Sequence, residues 1–302
     1  MPVTITADFL DPSAIMDSGQ CFRMVPLGDS TVETVAYGRR VAVTALGDGR
    51  FSFSCDAAEF TSLWRGYFDL DTDYRAILDA APREDAFLAG ALRGAYGLRI
   101  LRQDPWETLC GFILSQRKNI RAIRACVETL CDRYGEPVAG TQRRAFPTPE
   151  RIAALQERDL RLCAFGYRAP YLLDAARRVA AGALDLAALS RLPDDALFAA
   201  LTDVRGVGAK VADCVMLFGF HRLSRAPVDV WIRRVIDEEY GGVSPFAGYG
   251  AYAGVYQQML FVLRRDAGRG AATAGPECSK NTKPGRTAAH RGPAGCAHAK
   301  GL

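Results

Sequence analysis

Apolar and polar residues alternate along three short runs near the start of the chain, at 31–37, 40–46 and 50–54. A period of two puts successive side chains on opposite faces of a strand. With Gly38 and Gly47-Asp48-Gly49 between the runs, the pattern predicts an antiparallel meander. Residues 60–70 and 84–92 show helical spacing and are expected to pack on one side of that sheet. From Asp104 the period becomes helical and stays so to about Arg265. Asp104-Pro105 predicts a helix start, aspartate as cap and proline in the first turn, ahead of Trp106, Leu109, Phe112 and Ile113. Further helices are expected at 170–179, at 191–201, after Gly208 through Val211, Ala212, Val215 and Met216, and after Asp229 through Val230, Ile232, Val235 and Ile236. The expected fold class is α+β: an antiparallel-sheet domain with helices over 1–103, then an all-helical domain over 104–265. A basic low-complexity tail over 266–302, rich in Gly, Ala and Pro, is expected to be disordered.

With 302 residues, 49% of them apolar, the chain is long enough for two domains and a sizeable core. Its net charge of +4 leans only mildly toward polyanions. Nine cysteines at irregular spacings, with no signal-peptide pattern, point to reduced thiols inside a cell. That means the cytoplasm and nucleoid if the source is a prokaryote, or the nucleus if it is a eukaryote. No apolar run approaches the length of a membrane span. His221 is the one histidine before the tail, which removes histidine triads and multi-histidine metal sites from the folded part. In the tail, Cys278, His290, Cys296 and His298 lack a zinc spacing, so no metal is expected. Lys280, Lys283, Arg286 and Arg291 would add nonspecific phosphate affinity there.

Two stretches carry the candidate chemistry. In Asp203-Val204-Arg205-Gly206-Val207-Gly208-Ala209-Lys210-Val211-Ala212-Asp213-Cys214, two glycines sit between apolar helices, where they permit a tight turn and close approach of another backbone. The first amides and positive dipole end of the following helix would open onto that turn, a seat for a phosphate. Lys210 falls in the first helical turn, where the dipole and any burial oppose its charge, so its pKa should fall and its amine becomes a candidate nucleophile. Only five of the 38 basic residues are lysine, three of them in the tail, and an arginine here could not deprotonate to attack carbon. A solvated lysine at a helix start is the alternative that composition leaves open. Asp229, after Pro227-Val228, is expected to cap the next helix. A carboxylate held in that way also suits the stabilisation of developing positive charge, or proton transfer.

Together these stretches resemble the helix-hairpin-helix, Gly/Pro-Asp signature of base-excision DNA glycosylases. Three more stretches are similar to its 8-oxoguanine DNA glycosylase/AP lyase branch: Ser18-Gly19-Gln20-Cys21-Phe22-Arg23, Asp104-Pro105-Trp106-Glu107 through Ile113-Leu114-Ser115, and Phe165-Gly166-Tyr167-Arg168-Ala169-Pro170-Tyr171. The resemblance covers most of residues 8–265 and implies a bifunctional enzyme, a monomer acting on double-stranded DNA that contains 8-oxoguanine. Lys210 would attack the sugar, Asp229 would stabilise the oxocarbenium-like state, and the resulting Schiff base would undergo β-elimination. No organic cofactor is implied, with room for a monovalent cation at the hairpin carbonyls. The Gly19 carbonyl would meet the N7 hydrogen that 8-oxoguanine has and guanine lacks. Cys214 would flank one face of the flipped base, Phe261 would stack on the other, and Gln257 would bond its edge.

On the DNA, the resemblance assigns Arg117 to the hole left by the extruded base, within the polar run Ser115-Gln116-Arg117-Lys118-Asn119. Tyr167 and Arg168 would aim at a base or phosphate, Gly206 and Gly208 would hold the backbone, and Trp231 stands where relatives carry a phosphate-contacting histidine. Arg117 departs from the asparagine usual there, and Ala122 from an arginine that reads the opposite cytosine, so strict pairing with cytosine does not follow. Arg205 replaces a proline and predicts a looser turn. Taken residue by residue, plainer roles stand beside these: a strand start with Arg23 outside for 18–23, a buried structural cysteine for Cys214, and core packing for Phe261. The rival functions are a glycosylase for other damaged bases and a non-catalytic DNA-binding hairpin protein.

Overall fold

The computed structural model describes residues 1–273. Five antiparallel strands, β1 (Val3–Thr6), β2 (Met24–Pro26), β3 (Thr31–Ala36), β4 (Arg39–Gly47) and β5 (Arg50–Phe53), form one sheet in the order β1-β5-β4-β3-β2. The expected meander is its centre. The two edge strands were not anticipated, because runs of four and three residues are too short to show alternation. Their partners define them instead: Val3 pairs with Phe53 and Met24 with Thr34.

A short helix, α1 (Pro12–Asp17), precedes β2, with the Asp11 carboxylate accepting the Ser13 and Ala14 N–H groups at 2.9 and 3.0 Å. The segment 18–23 therefore runs from a helix end to a strand and is not itself a strand. Nor is Arg23 outside. It is 1% exposed, donating to Glu128 Oε1 at 2.7 Å and to Cys131 Sγ at 3.0 Å. A guanidinium can be buried like this because its donors find acceptors and a counter-charge.

The helices that follow in the sheet region are α2 (Ala57–Glu59), continued through a π turn (Phe60–Trp64) into α3 (Arg65–Tyr67), then α4 (Tyr74–Asp79) and α5 (Ala86–Gly94). The helical region holds α6 (Pro105–Ser115), α7 (Ile120–Tyr134), α8 (Pro149–Ala153), α9 (Glu157–Arg161), α10 (Ala169–Ala180), α11 (Leu186–Leu189), α12 (Asp194–Thr202), α13 (Ala209–Phe218), α14 (Val230–Glu239) and α15 (Ala253–Thr273). Asp104 caps α6 through the Trp106 N–H at 2.7 Å, as its sequence predicts. α15 continues past Arg265 to Thr273, and the rest of the expected disordered tail lies outside the described residues.

The two regions share one apolar core. It runs without a break from Met24, Val41 and Phe53 of the sheet, through Trp64 and Phe68, to Leu109, Ile113, Val215, Ile232 and Leu260 of the helices. Each such side chain contributes about 1.5–3 kcal/mol on burial. The step that positions the site is the return of α15, which packs against α5 and α14 and reaches the end of α1. This brings residues 257–261 alongside residues 18 and 19.

Candidate active site

The turn between α12 and α13 is intact despite Arg205. The Val207 N–H donates to the Val204 carbonyl at 2.9 Å, and Gly206 has φ +82°, a conformation that only glycine adopts at low cost. A Cβ on Gly206 would also lie 2.4 Å from the Tyr171 ring, so the fold demands glycine there twice over. Arg205 replaces the stiffness of a proline by lying over that same ring, 5.5 Å from its centroid. Gly208 is different: φ is −95°, and a Cβ would meet nothing within 4 Å. It is the N-cap of α13, and no side chain caps that helix, so its first amides are left to whatever enters the cleft.

Lys210 lies in the first turn of α13 and points inward. Its Nζ sits 5.1 Å from the centroid of Phe112, which stacks on Phe218 and meets Phe22 edge-on. Cys214, one turn further along the helix, is 3% exposed. Burial pushes its thiol up to about 11, while the Lys210 ammonium beside it pulls the other way. At that pKa the thiol stays protonated and presents a soft apolar face. Asp229 caps α14, accepting the Ile232 N–H at 2.9 Å, and lines the same cavity as Lys210 and Cys214. Capping and catalytic readings are thus compatible, since one carboxylate oxygen fixes the group and the other stays available.

This inner cavity measures about 50 Å³ and is also lined by Gly19, Gln257, Gln258 and Phe261. All the sequence-predicted base-contacting residues therefore meet at one point. Gln257 is 3% exposed, and its Oε1 is buried without a hydrogen-bond partner. An orphaned acceptor costs on the order of 1–3 kcal/mol unless a ligand supplies the donor. At about 30 Å³ per water, the cavity as it stands admits one or two waters and no purine. Phe261 and Ile120 close in on Gly19: a Cβ there would lie 2.8 Å from Ile120 Cδ1 and 3.6 Å from Phe261 Cε1. Opening requires these two side chains to move.

Outside lies a cleft of about 1140 Å³. Arg117, Lys118, Arg121, Lys210, Arg233 and Arg265 line it against a single acid, Asp229, so it presents a basic face. Arg117 is exposed at its rim with φ +53°, a left-handed backbone uncommon outside glycine. Asn119 uses its Oδ1 to cap α7 through the Ala122 N–H at 2.8 Å. Trp231 is half-buried on the cleft wall with Arg234 over its ring. Tyr167 is 47% exposed and set edge-on to Tyr171.

Arg168 departs from its expected role. It is 6% exposed and donates to the backbone carbonyls of Gln116 and Phe165, so its fork faces the loop and not the cleft. Gln116 in turn donates through Nε2 to the Gly206 carbonyl at 2.9 Å, joining the Arg117 loop to the hairpin. The sequence reading passed over three participants, Phe112, Ile120 and Gln258, because each looks like an ordinary member of a helical apolar or polar pattern. Among the described residues no group of three or more His, Cys, Asp or Glu could hold a metal, and no helix is long and apolar enough to cross a membrane.

Comparison with known proteins gives a consistent picture. A family model described as "8-oxoguanine DNA glycosylase, N-terminal domain" matches residues 2–109, and one described as "HhH-GPD superfamily base excision DNA repair protein" matches residues 110–244. The chain is 36% identical over 193 residues to the N-glycosylase/DNA lyase of Saccharomyces cerevisiae, a match covering 58% of this chain but only 50% of the yeast protein. Among solved structures, MBOgg1 in complex with a low-affinity DNA ligand superimposes with a TM-score of 0.85 at 32% identity, covering 88% of this chain and 96% of that one. The 8-oxoguanine glycosylase/lyase of Clostridium acetobutylicum, bound to double-stranded DNA with cytosine opposite the lesion, gives 0.83 at 30% identity, over 89% and 98%.

Proposed function

The chain belongs to the 8-oxoguanine DNA glycosylase family of the helix-hairpin-helix base-excision repair superfamily, and on that premise we propose that it excises 8-oxoguanine from duplex DNA and then nicks the strand. Excision requires the base outside the stack, at a cost of a few kcal/mol. The uncapped amides of α13 hold the backbone, and Arg117 at the cleft rim fills the vacated space.

The Lys210 amine, as free base, forms a bond to C1′ while the C1′–N9 bond breaks, and the electron pair leaves with the purine, which picks up a proton. The Asp229 carboxylate stabilises the positive charge that develops on the sugar during this exchange. Ring opening gives a Schiff base between Lys210 and C1′. Loss of a C2′ proton then expels the 3′ phosphate and cleaves the strand. Seven described cysteines, all free and buried, suit work in a reducing compartment.

The observation that carries the reading is the buried, unpaired Gln257 Oε1. It sits in the one small cavity that also holds the lysine, the carboxylate, the protonated thiol and the phenyl face. Borohydride trapping tests the chemistry. Wild type should cross-link covalently to duplexes bearing 8-oxoguanine or an abasic site, and Lys210→Gln to neither. A wild-type protein that binds these duplexes without cross-linking would be a non-catalytic hairpin protein.

A further inference from the structure

The end of α1 leads into a run of five backbone carbonyls, from Met16 to Gln20, of which four have side-chain partners; Ser18 and Gly19 of this run line the inner cavity. The Met16 carbonyl accepts Arg124 Nη2, and the Asp17 carbonyl accepts Arg265 Nη1. The Ser18 carbonyl accepts Gln258 Nε2 at 2.8 Å, and the Gln20 carbonyl accepts Gln103 Nε2 at 2.8 Å. The carbonyl skipped is that of Gly19, a residue of the cavity wall, and it accepts no hydrogen bond among the described residues.

A helix C-terminus always leaves carbonyls to be satisfied. Here the donors come from α7, α15 and the segment just before α6, far away in sequence, so the corner is held from outside its own helix. Both flanks of Gly19 are fixed. Ser18 is fully buried, and its hydroxyl donates to the Ile15 carbonyl at 2.7 Å. The Gln20 side chain accepts the Leu101 N–H at 2.8 Å and donates to the Arg99 carbonyl at 2.8 Å.

We propose that Gln258 is a positioning residue for lesion recognition: by holding the Ser18 carbonyl it aims the next carbonyl, that of Gly19, into the base pocket. Gln257 and Gln258 then divide the work. The first, unpaired, bonds the base, and the second, one residue on and 3% exposed, orients the group that reads it. Arg265 and Arg124 hold the two preceding carbonyls and reinforce the same corner. The discrimination depends on geometry: a donor at the purine edge is rewarded only if the carbonyl stands opposite it, and a carbonyl that has swung away meets damaged and undamaged purine alike. This inference rests on the proposed excision of 8-oxoguanine, but it assigns a role to a residue outside the reacting atoms.

The test uses two substrates for one enzyme. Excision from an 8-oxoguanine duplex needs the base read, whereas cleavage of a preformed abasic duplex contains no base to read. In single-turnover assays with the full chain, Gln258→Leu should slow excision about 10- to 100-fold and leave abasic cleavage within about twofold. Equal loss on both substrates would mean a general folding role and overturn the proposal, as would no loss on either. Gln258→Glu gives a second readout if the leucine variant folds poorly. An ionised carboxylate repels the Ser18 carbonyl, while a protonated one can donate to it. Excision by this variant should therefore recover relative to wild type as pH falls, and a flat ratio across pH would overturn the assignment. If the wild type acts on neither duplex, it is the proposed function that fails, and the two failures stay distinct.

Discussion

The hairpin that carries Lys210 and the corner that carries Gly19 face each other across the same cavity, yet they are held by different means. The hairpin is fixed largely by its neighbours in sequence: the Val204–Val207 turn bond, the left-handed Gly206, and Asp229 capping its own helix three residues on, with one distant bond from Gln116 to the Gly206 carbonyl. The corner is fixed from a distance, by side chains 240 and 248 residues further along the chain and by the 99–103 strip about 80 residues away. The chemical wall of the pocket is thus mainly a local motif, tied to the Arg117 loop by the Gln116 bond and seated on Tyr171. The recognition wall exists only once the chain has closed on itself, and small shifts of α15 reach it directly.

The largest expected effect lies on the hairpin side. Asp229→Asn keeps a good N-cap but removes the charge, so folding stability should change by less than about 0.5 kcal/mol while excision falls about 100- to 1000-fold. Urea denaturation beside single-turnover excision checks both halves. A stability loss matching the activity loss would show that the carboxylate is structural. Next comes Gly206→Ala, which combines a left-handed backbone with a Cβ driven into the Tyr171 ring. A loss of about 2–4 kcal/mol in folding is expected, with excision and abasic cleavage falling together. A variant that kept full abasic cleavage would show the hairpin to be less rigid than its local bonding suggests.

The corner side offers a titration. Glu107, on α6 near Arg23, has its carboxyl pushed up to about 7 by burial, against the opposing charge of Arg23 and with Asp104 and Glu128 adding to the rise. A raised carboxylate pKa means that the folded state holds the proton longer than the unfolded one. Below pH ~4.5 the group is protonated in both states and costs nothing; the cost grows between there and about pH 7 and persists above. Glu107→Gln should therefore be more stable than wild type at pH 8, on the order of 2 kcal/mol once partial exposure is allowed for, and equal to it near pH 4.5. Denaturation at the two pH values decides this. The smallest effect overall is expected for Gly208→Ala, whose folding cost stays below about 1 kcal/mol because its φ is ordinary and its surroundings are open. Affinity for duplex DNA should still drop by about tenfold or more if a phosphate approaches that backbone. Unchanged affinity would move the DNA away from the hairpin.

What could be read from the chain alone follows this division. Lys210 in the first turn of its helix, Cys214 on the same face, and Asp229 as a cap were legible, since each depends on spacings of a few residues that backbone geometry alone converts into neighbours. Gln257 and Phe261 were legible as a pair, again four apart on one helix, but their place opposite Gly19 came from the resemblance and not from periodicity. The edge strands β1 and β2 left no pattern to find. The interior positions of Arg23 and Arg168 ran against expectation, because a long cation is soluble by default and is buried only where acceptors happen to converge.

The sequence by itself determined the elements and the reactive pair: periodicity set the helices and the meander, and glycine and proline set the turns beside Lys210 and Asp229. Tertiary structure alone decided which carbonyl was left free, which glutamine oxygen was left unpaired, and how tightly the pocket closes around them. Hydrogen bonds between distant segments have no signature in local composition. They form only because one continuous core draws α1, α7 and α15 together, and their partners are chosen by where that packing happens to place a donor.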